Sequence, residues 1–468
     1  MTRPPSIPLD LWDAIPATLR PAIGVIVAGL ETRVAHLEGQ VADLTARLDQ
    51  NSSNSSKPPS SDGPHVKPAP PKARSGKRRG GQPGHPRHDR VILPPDVVID
   101  HKPTHCRGCH AVLAGDDPEP IVDQVIDLPA RLRHVTHHRR HTLPCPCCDA
   151  LTTAAPVPAA ATGFGPKVCA VTAYLSGVGR LGKRAVRALF ADVFDIPVSL
   201  GVVSKHEAII SRALEPIHAA AHAHAKGLDA NVDETGWRQG KNKAWLWVAV
   251  TNLLTVFLIR PNRNRVAFDD LVGPAPGVLT TDRFPVCTHL GGNKRQVCRA
   301  HPRRDFQAMI DRADGGSVIG EELLAHADIL CDHWQKVRDG TRTRRWFERT
   351  HAGWLRDEVR VLLERGTVCG CAKTAVVCRE LSALESSLWT FATRGGVEPT
   401  NNAAERAVRH AVCWRKTSYG TDSERGSRFV ERILTVVATC RQQGRGVLDF
   451  LIQALSGKHK PSLLPDGA

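Results

Sequence analysis

A stripe of apolar residues with a heptad period runs through the first part of the chain. Its positions alternate in steps of four and three: Ile23, Val27, Leu30, Val34, Leu37, Val41, Leu44 and Leu48. This N-terminal seam predicts a coiled-coil helix, long enough for a homodimer or for pairing with another protein's helix. An amphipathic helix packed on the chain's own core is the alternative. The helix is expected to end at NSSNSSKPPSSDGP, because Asn, Ser, Gly and Pro disfavour its continuation.

The period changes to two after Leu228. The runs LDANVDETGWR, KAWLWVAV and LLTVFLIR predict three strands of an antiparallel meander. A helix at RVAFDDLVG, a strand at VLTTD, a strand at RQVCRAH and a helix at RRDFQAMIDRA are predicted to follow. We interpret the sequence as strand, strand, strand, helix, strand, helix, strand, helix, the order of a ribonuclease-H-like fold. A helical stretch over 315–395 is expected to interrupt it.

The stretch from 165 to about 225 has a helical pattern. Within it, DIPVSLGVVSKHEAIISRAL predicts two helices joined by a short turn, with Ser199 capping the second. A helix-turn-helix that contacts DNA is one interpretation, and simple helical packing is the other.

Two Cys-x-x-Cys pairs suggest a metal site. Cys106 and Cys109, followed by Cys145 and Cys148, can supply four thiolates to a structural Zn²⁺ ion in a zinc ribbon. The gap between the pairs is longer than usual, and QVIDLPARLRHVTHHRRHTL within it predicts two strands that return the chain. Cys147 is a spare thiol near the second pair, and His105 or His141 can replace one of the four thiolates.

Charge points to a polyanionic partner. The chain has 63 Lys and Arg against 47 Asp and Glu, a formal net charge of +16. A basic cluster in KPAPPKARSGKRRGG contains Lys77, Arg78 and Arg79, in a linker that is expected to be disordered alone and to order on DNA phosphates. A solvated surface tail is the alternative.

The chain lacks the signals of a membrane or secreted protein. No run reaches the roughly 18 apolar residues of a membrane span, and the apolar run PAIGVIVAGL continues in phase into a polar helix. We therefore expect a cytoplasmic protein whose 14 cysteines are thiols or metal ligands.

Three carboxylates are the candidate catalytic residues. Asp233 and Asp282 are predicted at the ends of strands, and Glu405 near the start of a helix. Together they can hold two Mg²⁺ or Mn²⁺ ions over a phosphodiester, with Asp233 bridging both ions. The aspartates can instead simply end a strand or form a turn. Glu405 can instead complete a capping box that begins at Asn402.

Several polar residues near Glu405 are candidates for DNA contact. Arg406 and Arg409 share a helix face with i, i+3 spacing, and Asn401 lies beside them. Arg415 and Lys416 extend this surface, with ordinary solvated charge as the alternative. His301 is interpreted as a packed histidine, although contact with a phosphate or a neighbouring acid is also consistent with the sequence.

The fold class expected from these patterns is a multidomain α+β or α/β protein. Its predicted parts are an N-terminal helix and leucine-zipper coiled coil at 1–50, a Ser/Pro/basic linker at 51–95, a zinc-binding domain at 96–160, a helical, helix-turn-helix-like DNA-binding region at 161–226, the first part of the ribonuclease-H-like core at 227–314, the helical insertion at 315–395, core completion with the Glu405 helix at 396–455, and a tail at 456–468.

Several motifs together resemble one known family. These are the zipper followed by NSSNSSKPPSSD, then GGQPGH, the paired CxxC knuckles, VDET, TTD, CRAH and TNNAAERAVR. The chain resembles the DDE transposases of the bacterial insertion-sequence family IS66 along nearly its whole length. Two sites depart from the family pattern. After the second aspartate the family usually has Gly and an aromatic residue, whereas Arg283 and Phe284 follow Asp282 here, and the family's Cys-Trp-x-His motif reads Cys298-Arg299-Ala300-His301.

The resemblance implies a function for the three acids. Asp233, Asp282 and Glu405 would be the catalytic residues of a metal-dependent transposase that cleaves DNA at element ends and transfers the 3′ hydroxyl into target DNA. The expected partners are terminal inverted repeats, target DNA, a second copy or larger synaptic complex, and companion proteins of the same element. The protein would associate with the bacterial nucleoid when bound to DNA. A catalytically inactive zinc-ribbon protein that binds or regulates element ends is the alternative.

Overall fold

The computed structural model describes residues 3–51, 55–57, 92–129, 132–156, 163–274, 276–456 and 460–464. The strands are β1 Thr142–Pro144, β2 Leu151–Thr153, β3 Ala230–Gln239, β4 Asn242–Val250, β5 Thr255–Arg260, β6 Leu279–Thr281 and β7 Arg295–Val297. The helices are α1 Leu9–Ala14, α2 Arg20–Asp49, α3 Pro166–Gly177, α4 Lys183–Asp192, α5 Leu200–Ala225, α6 Arg265–Val272, α7 Ala300–Asp311, α8 Ser317–Arg338, α9 Arg344–Phe347, α10 Gly353–Gly366, α11 Ala372–Ala383, α12 Glu385–Leu388, α13 Thr390–Thr393, α14 Asn402–Ser418, α15 Glu424–Gln442 and α16 Val447–Ser456.

The N-terminal seam lies on α2, a helix of 30 residues that ends at Asp49. This confirms the predicted helix and its end before the Asn/Ser/Pro segment. From Leu30 to Leu48 every residue of the seam is more than half exposed. Within the described part of the chain, the helix therefore does not bury this stripe on its own core. Among the described residues, no helix is both long and apolar enough to cross a membrane.

The chain forms two compact units, and the smaller one contains 70–165 and 183–204. In it, β1 and β2 form a short antiparallel hairpin around the second cysteine pair. Both cysteine pairs share one backbone pattern: the N–H of Cys106 donates to Ala111, and that of Cys145 donates to Ala150. Each turn ends in a left-handed residue, His110 or Asp149. The two predicted knuckle turns are therefore present.

Two predictions near these turns were wrong. Between the cysteine pairs, the described residues of QVIDLPARLRHVTHHRRHTL form no strand before β1. Their apolar side chains, such as Ile126 and Val135, are exposed, so these residues lack the buried face that stabilises a strand. The segment from 195 onward holds one helix rather than a pair, because left-handed Asp195 and Pro197 keep the chain irregular before α5. The Ser199 cap is confirmed: its hydroxyl accepts from the N–H of Val202 at 3.2 Å.

The larger unit is built on a five-stranded mixed sheet with the order β5-β4-β3-β6-β7. Strands β3, β4 and β5 form the predicted antiparallel meander, whereas β6 and β7 are parallel to β3. The α-helix expected between β6 and β7 is absent. Two 3₁₀ turns, Pro285–Cys287 and Gly292–Lys294, occupy its place. Proline and glycine in this short connection disfavour an α-helix.

Helix α15 covers the edge of the sheet at β5. Side chains spaced four residues apart on one face of the helix accept hydrogen bonds from alternate N–H groups of the strand. The pairs are Thr439 with Thr255, Thr435 with Phe257, and Glu431 with Ile259. The unpaired edge of the sheet is thereby satisfied by a helix instead of another strand.

The helices α8–α13 stand between α7 and α14 and have a hydrophobic core of their own. An aromatic group lies at its centre, with the ring of Trp334 edge-on to Phe347 at 5.3 Å and to Phe391 at 4.7 Å. Because this helical insertion separates α14 from the strands in sequence, only the tertiary fold brings α14 back to β3.

Candidate active site

Asp233 and Asp282 lie side by side at one end of the parallel strands. Asn231 of β3 is paired with Thr280 of β6, and each aspartate stands two residues further along its strand direction. Asp282 is the first residue after β6, as predicted. The prediction that Asp233 ends its strand was wrong, because β3 continues for six more residues paired with β4. Asp233 instead lies just beyond the part of β3 that pairs with β6.

A buried arginine holds the backbone at Asp282. Arg295 is 1% exposed. Its Nε donates to the Thr281 hydroxyl at 3.1 Å, and its Nη2 donates to the Asp282 carbonyl oxygen at 2.8 Å. The Asp282 carboxylate accepts from the N–H of Phe284 at 2.8 Å. These contacts orient the turn after β6 and place a positive charge behind the acids.

Glu405 does not cap its helix. Helix α14 begins at Asn402 with Asn401 as its N-cap, and no side chain makes a capping hydrogen bond there. Glu405 is therefore one position too far along the helix for a capping box, and that alternative was wrong. Its carboxylate accepts no hydrogen bond from the described residues, whereas its backbone N–H donates to the Asn401 carbonyl at 3.1 Å.

Asn401 joins three elements around the acids. Its side-chain amide donates to the Val232 carbonyl of β3 at 2.7 Å and accepts from the Asn231 amide at 3.1 Å. Its backbone N–H donates to the Cys298 sulfur at 3.2 Å. Asn401 is 1% exposed, so the expectation that it contacts DNA phosphates was wrong. It instead anchors the start of α14 next to Asp233.

The acids act on one another electrostatically. Burial raises the pKa of Asp233 to about 7, and nearby negative charges add to this shift. Those charges belong to Glu234, Asp282 and Glu405. Burial and Asp282 also raise the pKa of Glu234, against the opposing charge of Arg263. The structure thus brings the three predicted acids into one half-buried group.

This group fits divalent cations. Carboxylate oxygens are the ligands that Mg²⁺ and Mn²⁺ prefer. Burial is the main cause of the raised pKa of Asp233, and a cation would relieve the repulsion between the acids that adds to it. Glu234 is less available, because Arg263 donates to its carboxylate from Nε at 2.8 Å. Arg263 also stacks on Phe284, 3.7 Å from the ring centroid. The residues that would hold metal are therefore Asp233, Asp282 and Glu405.

We expect Asp233→Asn to stabilise the metal-free protein at pH 8. The pKa of Asp233 is about 7 in the fold against 3.8 ordinarily, so the folded protein retains a proton that the unfolded chain releases between these values. The stability from this group therefore falls as pH rises from about 4 to about 7 and stays low above. The full difference corresponds to at most about 4 kcal/mol. Urea unfolding in EDTA at pH 5 and pH 8 measures it.

Asp270→Asn is the matched control for this pH effect. Burial alone would raise the pKa of Asp270, but hydrogen bonding and charge from Arg260 outweigh it and leave the pKa lowered. The control should therefore destabilise the protein at pH 8, with the opposite sign. The prediction fails if Asp233→Asn is less stable than the unaltered protein at pH 8 in EDTA.

Two further residues lie beside Glu405, and neither was among the catalytic or metal-binding residues predicted from the sequence. The ligand atoms of Cys298, His301 and Glu405 all lie within 4.8 Å of one another. Cys298 follows β7, and His301 is in the first turn of α7. His301 is therefore beside an acid, which was the less favoured interpretation of the sequence. The Cys-x-x-His spacing at a strand-to-helix junction was the available signal.

The other predicted site residues are scattered. Arg406, Arg409 and Lys416 are exposed on α14. Arg415 is half-buried, and its guanidinium donates to the Gly236 carbonyl of β3. Lys77, Arg78 and Arg79 lie outside the described residues.

Among the described residues, Cys106, Cys109, Cys145 and Cys148 do not form one four-ligand group, so the zinc ribbon stays a prediction.

The fold and the acid group define a mixed α/β protein with a candidate metal-binding centre on its sheet. Residues 164–428 match the family described as the Transposase IS66 family, a stretch that is more than half of the 468-residue chain. The chain belongs to this family. The matched stretch contains all three acids, together with Cys298 and His301.

Two other similarities were found. Residues 10–91 match a family of unknown function, DUF6444. The "Uncharacterized protein y4qI" of Sinorhizobium fredii (strain NBRC 101917 / NGR234) is 26% identical over 247 residues, which cover 46% of this chain and 43% of that protein. The matched part is thus less than half of the relative's length.

Proposed function

We propose that this protein is a DDE transposase with a ribonuclease-H-like core. The observation that carries the proposal is the meeting of Asp233, Asp282 and Glu405 beside the parallel strands, in a chain of the IS66 transposase family. The sheet order β5-β4-β3-β6-β7, with its antiparallel meander and parallel extension, supports the ribonuclease-H-like assignment.

The proposed reaction has two steps, and in each step an oxygen nucleophile attacks a phosphodiester. Water first cleaves the strand at the element end and frees a 3′ hydroxyl, and this hydroxyl then attacks a target phosphodiester. Two divalent cations, when bound, would activate the attacking oxygen and stabilise the departing one. Asp233, with its raised pKa, and Asp282 and Glu405 would hold them. Asn401 and Arg295 would keep these carboxylates in place.

DNA is the proposed substrate and partner. The net charge of +16 favours a polyanion, and the exposed Arg406, Arg409 and Lys416 extend along the helix that carries Glu405. They are proposed to bind phosphates near the scissile bond, together with Lys77, Arg78 and Arg79. Element ends, target DNA and companion proteins of the same element would meet this protein in the bacterial cytoplasm.

Cleavage of a labelled duplex that carries an element end tests the proposal. With Mg²⁺ or Mn²⁺, and with companion proteins present, the unaltered protein should cut and transfer the strand, whereas Asp233→Ala should bind the duplex without cutting it. Equal strand transfer by Asp233→Ala would overturn the acid assignment. Binding by the unaltered protein without cleavage in any of these conditions would favour the alternative, an inactive zinc-ribbon protein that binds element ends.

The N-terminal seam is proposed to form a parallel homodimer. Among the exposed residues of the seam, Val34 and Val41 occupy the first apolar position of the heptad, and Leu37 and Leu44 occupy the second. β-Branched residues at the first position with leucine at the second favour two-stranded coiled coils. An exposed seam of this length is also compatible with a larger synaptic complex of such dimers.

Leu37→Glu combined with Val41→Glu is expected to halve the molar mass measured by light scattering after gel filtration. The physical reason is that each charge would be buried in the seam of the dimer. The control is Ala28→Glu with Ala35→Glu, which adds the same charge to exposed positions outside the seam. An unchanged mass in the seam variant would exclude this interface.

A further inference from the structure

A thiol, an imidazole and a carboxylate converge beside the sheet. Cys298 Sγ, a His301 ring nitrogen and a Glu405 carboxylate oxygen lie within 4.8 Å of one another. Donor atoms that share one Zn²⁺ ion are each about 2.0–2.3 Å from it, so they must stand within roughly twice that distance of each other. Small side-chain adjustments are sufficient to bring these three atoms onto one ion.

Two of the three donors, His301 and Cys298, have contacts that suit a metal ion. The Nδ1 atom of His301 is buried and has no hydrogen-bond partner among the described residues, a state that normally costs free energy. The Cys298 sulfur accepts a hydrogen bond from the backbone N–H of Asn401 at 3.2 Å, and this contact fixes the position of the sulfur.

The donor set differs from that of a magnesium site. Mg²⁺ takes oxygen ligands and dehydrates reluctantly, whereas a thiolate with an imidazole selects Zn²⁺ among the abundant divalent ions. We propose that Cys298, His301 and Glu405 form a Zn²⁺ site, with a fourth position open to water or a further ligand. Binding would release the thiol proton of Cys298 to solvent.

The site has a regulatory consequence that rests on the proposed function. A Glu405 carboxylate that binds Zn²⁺ at this site cannot at the same time be a full ligand of the catalytic cations. Zinc would therefore inhibit cleavage driven by Mg²⁺, and removal of zinc by a chelator would restore it. The binding itself depends only on the three side chains and can be measured without DNA.

Cobalt substitution tests the site in the full-length protein. Co²⁺ bound to a thiolate gives a charge-transfer absorption band, and titration counts the ions held per chain. We expect Cys298→Ala and His301→Gln each to lose one Co²⁺ per chain and to weaken Zn²⁺ binding at this site at least about 100-fold. Cys440→Ala removes a buried cysteine outside the cluster and should keep that ion.

His301→Gln provides the second variant in case Cys298→Ala does not fold, since Nδ1 of His301 has no hydrogen bond to lose within the described part of the chain. An unchanged number of bound ions and an unchanged absorption band in both variants would overturn the proposal. Zinc binding that depends on Cys298, without any DNA cleavage by the unaltered protein, would leave this site standing and overturn the proposed function. DNA cleavage by the unaltered protein, without Zn²⁺ binding that depends on Cys298, would leave the proposed function standing and overturn this site.

Discussion

Glu405→Gln is expected to reduce strand cleavage by at least about 10²–10³-fold, the range seen when one preorganised electrostatic group is removed from an active site. Its carboxylate accepts no hydrogen bond from the described residues, and α14 has no side-chain cap at its start. The substitution therefore removes a charge that the fold does not use for capping. The unfolding free energy should change by less than about 1 kcal/mol.

Glu424→Gln is the matched control for this substitution. Glu424 is likewise an acid in the first turn of a helix, α15, but it is exposed and outside the acid group. Cleavage of the labelled duplex should be unchanged in the control, and both variants should bind the duplex with the same Kd. Full cleavage by Glu405→Gln would remove Glu405 from the proposed active site.

Asn401→Ala is expected to destabilise the protein and to lower cleavage about 10²-fold. The substitution leaves the buried Val232 carbonyl without the donor that contacts it at 2.7 Å, which costs about 1–3 kcal/mol. It also frees the start of α14 from β3, so Glu405 is no longer held beside Asp233. A displacement of about 1 Å at a reacting centre is sufficient for a loss of this size.

A positioning role for Asn401 predicts a specific pattern of measurements. The rate of cleavage at saturating DNA should fall, whereas the Kd for the duplex should stay the same. Asn401→Asp keeps the size of the side chain but cannot donate to the Val232 carbonyl, so it should be as slow as Asn401→Ala. The neighbouring Asn402 is exposed, and Asn402→Ala should behave like the unaltered protein. Normal rates in both Asn401 variants would contradict the role.

Local patterns in the sequence were sufficient for several elements. The heptad seam predicted α2 and its end, and the period of two predicted β3, β4 and β5. Such periodicities reflect which face of one element is buried, so neighbouring residues carry the information. The same patterns were insufficient between the cysteine pairs, where the described residues before β1 form no strand and their large apolar side chains are exposed.

The candidate site was also predicted only in part from local sequence patterns. The residue types and motifs around Asp233, Asp282 and Glu405 indicated the acids, but a capping box was an equally local interpretation of Glu405. The structure excluded it, because α14 begins at Asn402 and its N-cap is Asn401. The start of a helix depends on what holds its first residues, and here the amide of Asn401 is bound to a strand far away in the sequence.

The sequence by itself determined the class of chain: a basic, multidomain protein with a helix of heptad pattern, a strand meander and the motifs of the IS66 family. Only the tertiary structure decided that β6 pairs in parallel with β3, that Asn401 joins α14 to β3, and that Cys298 and His301 stand beside Glu405. These contacts join residues separated by tens to more than a hundred positions. Their register depends on the packing of the whole sheet, which no local period records.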